Sequence, residues 1–150
     1  MNDFLENDVD ILNHEYKDIH IENQRIFNKT IGDAKITESS FLEVTFDNVV
    51  FNYVVFFHID HNCQFIDCKM VGTNFADSTI RSCEFSNVMG RYMSFSYLKI
   101  QEMSISDSDL LETRFMDIKH SKLTFSNVNL KGAEFNTISM VNVDISTCNI

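Results

Sequence analysis

From residue 65 onward, every fifth position is large and apolar in sixteen of eighteen cases, running from Phe65, Met70 and Phe75 to Met140, Ile145 and Ile150. Gly90 and His120 are the exceptions. Two residues before each of these stands an uncharged residue such as Cys63, Cys68, Thr73, Ser78, Cys83 or Leu98, and the other three positions are mostly polar. Upstream the same rhythm runs one residue out of phase, through Ile36, Phe41, Phe46, Phe51 and Phe56, preceded by Ala34, Ser39, Val44, Val49 and Val54. The phase changes across HIDHNC (58–63), so one residue is lost from a unit there. A period of five matches neither a helix nor a simple strand. Within a unit, however, the two apolar residues are two apart and share one face of an extended segment. A chain that extends briefly, turns and repeats wraps into a coil with that pair pointing inward. Asn and Asp recur just after the central residue, at Asn48, Asp67, Asp77, Asn87, Asp107, Asp117, Asn127 and Asn142, where their side chains suit a turn.

The units VTFDN (44–48), CEFSN (83–87), LTFSN (123–127) and AEFNT (133–137) resemble the pentapeptide-repeat family, and the resemblance extends over about residues 31–150. It implies an all-β fold, a right-handed quadrilateral β-helix with four pentads per coil and about six coils. At ~4.8 Å between stacked strands that is a rod roughly 29 Å long. A twenty-residue coil places Phe75, Phe95, Phe115 and Phe135 in one internal column, and Ile80, Ile100, His120 and Met140 in another. His120 then either faces inward or sits on a bulge that turns it out. Buried, it is neutral, because desolvation opposes the charge.

The ends read differently. Leu5, Val9, Leu12, Tyr16 and Ile19 are spaced four, three, four and three, which predicts an acidic amphipathic helix over 3–18. Such a helix would cap the first coil, as solenoid ends require. The beat continues through Ile21, Ile26 and Ile31, but its partner positions are Gln24 and Lys29, so inward packing is expected only from about residue 31. Residues 1–30 are therefore read as a cap and 31–150 as the β-helix, with the phase break at 57–63. At the other end Ile145, Cys148 and Ile150 fall on the beat with nothing after them, which predicts a homodimer through C-terminal coils.

Composition narrows the chemistry. The chain has 150 residues, 44% of them hydrophobic, enough for a single core. It has no apolar run long enough to span a membrane and no signal-like N-terminus, so a cytoplasmic location is the expectation. The net charge of −10 disfavours direct contact with nucleic acid. Most of the excess acid, a net of −8, lies in residues 1–60. His58-x-x-His61-x-Cys63 with Cys68 resembles a metal cluster on paper. All four cysteines, Cys63, Cys68, Cys83 and Cys148, fall on the inward small position, so buried free thiol is the simpler account and no metal is assigned. Cys63 and Cys83 lie one coil apart, within reach of a disulfide, but stay thiols in a reducing compartment. Ser78 and Ser108 are inward small residues without a base, and no phosphate-binding loop is present. No catalytic residue and no cofactor are expected.

Outward positions carry what function there is. Tyr92 and Tyr97 stand at successive corners of one coil, with Leu111 and Met116 outward one coil further on, a candidate interface. The corner column Asp67, Asn87, Asp107 and Asn127 alternates acid and amide. Two readings follow. One is a non-catalytic scaffold or binding module for a protein partner whose identity the sequence does not give. The other rests on the resemblance, since some members of that family bind DNA gyrase as DNA mimics and protect it from inhibitors. The near-balanced charge of residues 61–150, a net of −2, argues against the second. For stability, Phe115→Asp is expected to unfold the rod and outward Asn127→Asp to be nearly silent.

Overall fold

Each five-residue unit becomes one side of a square coil. In the computed structural model, which describes residues 2–6 and 9–150, short parallel strands on every side pair with the same side of the coils before and after. Ile11 pairs with Ile31 and Ile31 with Phe51 on one side. On the next side Phe56, Phe75, Phe95, Phe115 and Phe135 pair in succession. The result is an all-β solenoid.

A residue with positive φ makes the turn between most sides. Of the 21 non-glycine residues in this conformation among the described residues, seven are Asn and six are Asp, the side chains that tolerate left-handed backbone best. The recurrent Asn and Asp of the sequence, from Asn48 to Asn142, occupy this position. The acid–amide column has a second role. Asn87 Nδ2 donates to Asp67 Oδ1, and Asn127 Nδ2 to Asp107 Oδ1, each at 2.7 Å, so the alternation ties successive coils together.

The core is two stacks of rings. Phe56, Phe75, Phe95, Phe115 and Phe135 lie parallel at centroid separations of 4.8, 5.3, 5.1 and 4.8 Å. Phe46, Phe65 and Phe85 form a second stack at 5.0 and 4.8 Å on the facing side. The rings of one stack meet those of the other edge to face at 5.9 to 6.0 Å. Such contacts contribute about 0.5–1.5 kcal/mol per pair beyond burial. Inward Ser and Thr bind backbone: Ser78 Oγ accepts from Ile59 N–H at 3.1 Å and donates to Ala76 O at 2.8 Å. Ser108 repeats this with Val88 N–H and Ser106 O.

The lost residue is a corner residue. In strand Asp60–Ile66, Asn62 pairs with Leu42 and Cys63 with Val44, so Glu43 has no counterpart. Toward the following coil, His61 pairs with Ile80 and Asn62 with Ser82, which skips Arg81. Beyond this point Thr79–Ser86, Ser94–Ser106 and Arg114–Ser126 cross the same corner with no positive-φ residue at it, although Tyr97 and Asp117 keep a left-handed turn at the preceding corner.

The N-terminus departs from expectation. The helix predicted over 3–18 does not run its length: among the described residues only Asn2–Leu5 is helical, and Ile11–Leu12 and Glu15–Lys17 are strands. Leu12 is 62% exposed, whereas Ile11, Tyr16 and Ile19 are buried. Pairing with the following coil wins over the helical spacing, because that coil supplies a partner for each backbone group, as in Asn13 N–H to Gly32 O and Lys35 N–H to His14 O, both 2.9 Å. The ladder thus starts a coil earlier than residue 31. Lys29 does face inward and is 3% exposed. Its ammonium donates to the carbonyls of Phe4 and Glu6, each at 3.0 Å, which satisfies the charge in the mouth of the coil. Phe4 fills that mouth, with its ring edge-on to Tyr16 at 5.3 Å.

Candidate interaction surface

The solenoid leaves two kinds of surface, flat sides and corners, and the exposed tyrosines are on the corners. Tyr53, Tyr92 and Tyr97 have φ of 55°, 59° and 54° and are 63, 55 and 59% exposed. Left-handed backbone is disfavoured for a bulky residue. Three of the four tyrosines nevertheless stand in it; the fourth, Tyr16, is in the core.

Hydrogen bonds between coils order one corner column as Asp33, Tyr53, Gly72, Tyr92, Glu112 and Gly132. Gly72 is needed twice over. Its φ is +67°, and a Cβ there would lie 2.5 Å from Cδ1 of Tyr53. The Cδ1–Cε1 edge of the Tyr53 ring therefore occupies the space that a side chain at position 72 would need, while Tyr53 stays 63% exposed. The neighbouring corner column runs Glu38, His58, Asp77, Tyr97 and Asp117. Between the columns lies a side with Val55, Phe57, Ala76, Ser94, Ser96 and Met116 outward, all partly buried. The Phe57 and His58 rings touch at 4.0 Å.

The charges around this surface are mostly acidic and uncompensated. Asp33, Asp77, Glu112 and Asp117 have no ion-pair partner among the described residues. Of the nearby bases, Arg91 Nε donates to Asp109 at 2.8 Å and Arg114 Nε lies 3.6 Å from Glu134, whereas Lys35, in register with Val55, makes no ion pair among the described residues. Cation–π contacts among the described residues are Arg25 over Phe27 and Lys29 over Phe4, so none of these tyrosines carries a cation of its own.

The sequence-predicted residues fall as follows. Tyr92 and Tyr97 are on the two adjacent columns, and Leu111 and Met116 are half-buried beside them. Tyr53 and Gly72 were missed, although Tyr53 stands two residues after Phe51 as Asn48 does after Phe46. The one-residue phase change hid their alignment with Tyr92. In the last coil Phe135, Ile138, Val143, Ile145 and Cys148 face the lumen but are only half-buried, and Ile150 is 75% exposed. The backbone edge of Glu134–Ile138 has no partner strand beyond it among the described residues.

The structure disperses the His–Cys set. His58 is on an exposed corner, whereas His61 is inside and fully buried. His61 stacks on Phe41 at 5.9 Å and meets Phe56 and Phe75 edge-to-face at 5.4 and 5.2 Å. Burial pushes its pKa down to about 3, so the ring is neutral. Its Nε2 has no hydrogen-bond partner, and its Nδ1 is 3.9 Å from Cys63 Sγ. The signal for an inward His61 was present, since 61 continues the upstream beat of 51 and 56. Burial also raises Cys63 well above the usual thiol range, and Cys68 to about 12, which leaves them poor nucleophiles. Cys63 pairs in register with Cys83, and both are free thiols. His120 pairs with Ile100 on the inward column without a bulge. It is half-buried, and its Nε2 donates to Ser139 O at 2.7 Å.

A family model described as a pentapeptide repeat region matches residues 59–135. No curated protein matches the chain. Similar solved structures include a trypsin-treated variant of QnrB1, a plasmid-mediated fluoroquinolone resistance protein, at 14% identity over 90% of this chain and 80% of that one, with a TM-score of 0.47. Rfr23 from the cyanobacterium Cyanothece 51142 matches at 6% identity over 93% and 90%, with a TM-score of 0.34. HetL from Nostoc sp. strain PCC 7120, involved in heterocyst differentiation regulation, matches at 7% identity over 95% and 85%, with a TM-score of 0.24.

Proposed function

Because this chain belongs to the pentapeptide-repeat family, we propose that it is a non-catalytic scaffold that binds a protein partner through its aromatic corners. One observation carries the reading: Tyr53, Tyr92 and Tyr97 occupy left-handed backbone that costs a bulky residue roughly 1–2 kcal/mol, where most other corners place Asn or Asp. Folding does not ask for tyrosine there; contact with a partner does. The inward hydroxyls of Ser78 and Ser108 are committed to backbone hydrogen bonds and the thiols are suppressed by burial, which supports a role without catalysis. Four unbridged cysteines suit a reducing, cytoplasmic setting. The half-buried lumen residues of the last coil support a homodimer formed end to end with a second copy.

Substitution of Tyr92 by Asn separates the two demands. Tyr92→Asn is expected to keep or raise the melting temperature, by the equivalent of about 0.5–1 kcal/mol, while abolishing affinity capture of the partner that the wild type retains. Equal retention of that partner by both proteins would refute the reading.

A second reading, a DNA mimic directed at gyrase, is favoured by carboxylates without basic partners on two opposite corners, Asp67 and Asp107 on one, Asp77 and Asp117 on the other. Titration of the purified chain into a gyrase supercoiling reaction, with and without a quinolone, decides between them. Protection or inhibition at low micromolar protein transfers the assignment to gyrase; no effect from folded protein leaves the scaffold.

A further inference from the structure

We propose that the Tyr53–Gly72–Tyr92 corner receives arginine side chains from a left-handed polyproline-type segment of the protein partner. The inference rests on the aromatic corners being the binding surface and adds the chemistry of what binds there. The Tyr53 ring takes the space that Gly72 leaves empty and stays largely exposed, so the aromatic position is formed before any ligand arrives. Tyr92 stands two coils further along the same column, about 9.6 Å away at ~4.8 Å per coil. A tyrosine face attracts a cation, and arginine most often. Neither ring has one from its own chain, since Arg91 is held by Asp109. Asp33 and Glu112, both without basic partners, stand one coil beyond the tyrosines at either end. The column therefore reads acid, ring, gap, ring, acid. That order complements a row of guanidinium groups, which can lie on a ring and donate to a carboxylate at once.

The spacing chooses the conformation of the ligand. A polyproline-type helix repeats every three residues with a rise of ~3.1 Å each, so arginines at every third position point the same way about 9.3 Å apart. That matches the two-coil step. In a β-strand, residues three apart point to opposite faces.

The test measures fluorescence anisotropy of a labelled peptide of Arg-Pro-Pro triplets titrated with the full chain. Lys-Pro-Pro and Glu-Pro-Pro peptides and neutral oligosaccharides serve as competitors. Tyr53→Asn and Tyr92→Asn are each expected to weaken binding of the arginine peptide about two- to fivefold at constant salt, as loss of an exposed cation–π contact predicts. Gly72→Asn, which tolerates the backbone but displaces the Tyr53 ring, is expected to weaken it as much. Lysine for arginine also weakens it, and the acidic peptide does not compete. Circular dichroism melts establish that each variant is folded. Three results overturn the proposal: no binding at about 1 mM peptide, binding that falls with salt but ignores all three substitutions, or displacement by a neutral oligosaccharide. If the arginine peptide fails while Tyr92→Asn still loses the captured partner, the binding surface stands and the arginine assignment falls.

Discussion

His61 is the residue where core and chemistry meet. A ring nitrogen without a partner, surrounded by Phe41, Phe56 and Phe75, costs stability that an apolar side chain would not. Its pKa falls from 6.5 to about 3 on folding, so the unfolded chain binds the extra proton between those values. Stability is therefore fully present above pH 6.5 and is lost as pH falls toward 3. At pH 5 the loss is about 2 kcal/mol, at ~1.36 kcal/mol per pH unit. His61→Leu should remove this slope, and chemical denaturation at pH 5 and pH 7.5 checks it: the variant's advantage must be larger at the lower pH. Asn127 is a second case. Outwardness alone made Asn127→Asp look silent, but Nδ2 donates to Asp107 Oδ1 at 2.7 Å. Replacing it sets two carboxylates against each other, and a loss of about 1 kcal/mol is expected. Phe115→Asp, which buries a charge between Phe95 and Phe135, should prevent folding altogether, and melts of both variants measure the contrast.

At the scale of the element, the fold is a contest between local and inter-coil pairing. The stripe Leu5, Val9, Leu12, Tyr16 and Ile19 satisfies a helix, yet residues 11–17 form strands because the next coil offers backbone partners in register. A helix of that length is marginal alone, and tertiary pairing overrides it. Lys29 fitted no apolar pattern, so the beat looked broken there. The carbonyls of Phe4 and Glu6 come to its ammonium, each at 3.0 Å. The missing corner residue at 62–63 is a similar exchange: one left-handed turn is lost, and the strands that cross that corner from there on do so without a left-handed residue at it.

The whole molecule is a rod whose ends differ. Phe4 fills the first coil, while the last coil keeps Phe135, Ile138, Val143 and Ile145 half-open to solvent. If a second copy covers that face, Ile145→Asp should convert a dimeric mass into a monomeric one in sedimentation without loss of the β spectrum. A wild-type protein that is monomeric at micromolar concentration removes the dimer and leaves the corner surface untouched.

What the sequence by itself determined is the unit: five residues, an inward pair and a polar turn, with Asn and Asp marking the left-handed corner. These are local consequences of pleat and turn geometry, so they show in any window of the chain. What only the tertiary structure decided is which units lie on top of one another. That register is set by hydrogen bonds between residues eighteen to twenty-one apart, and a single lost residue shifts it for every coil that follows. It turned His61 into the core, closed Lys29 over Phe4, and laid Tyr53 on Gly72 in line with Tyr92.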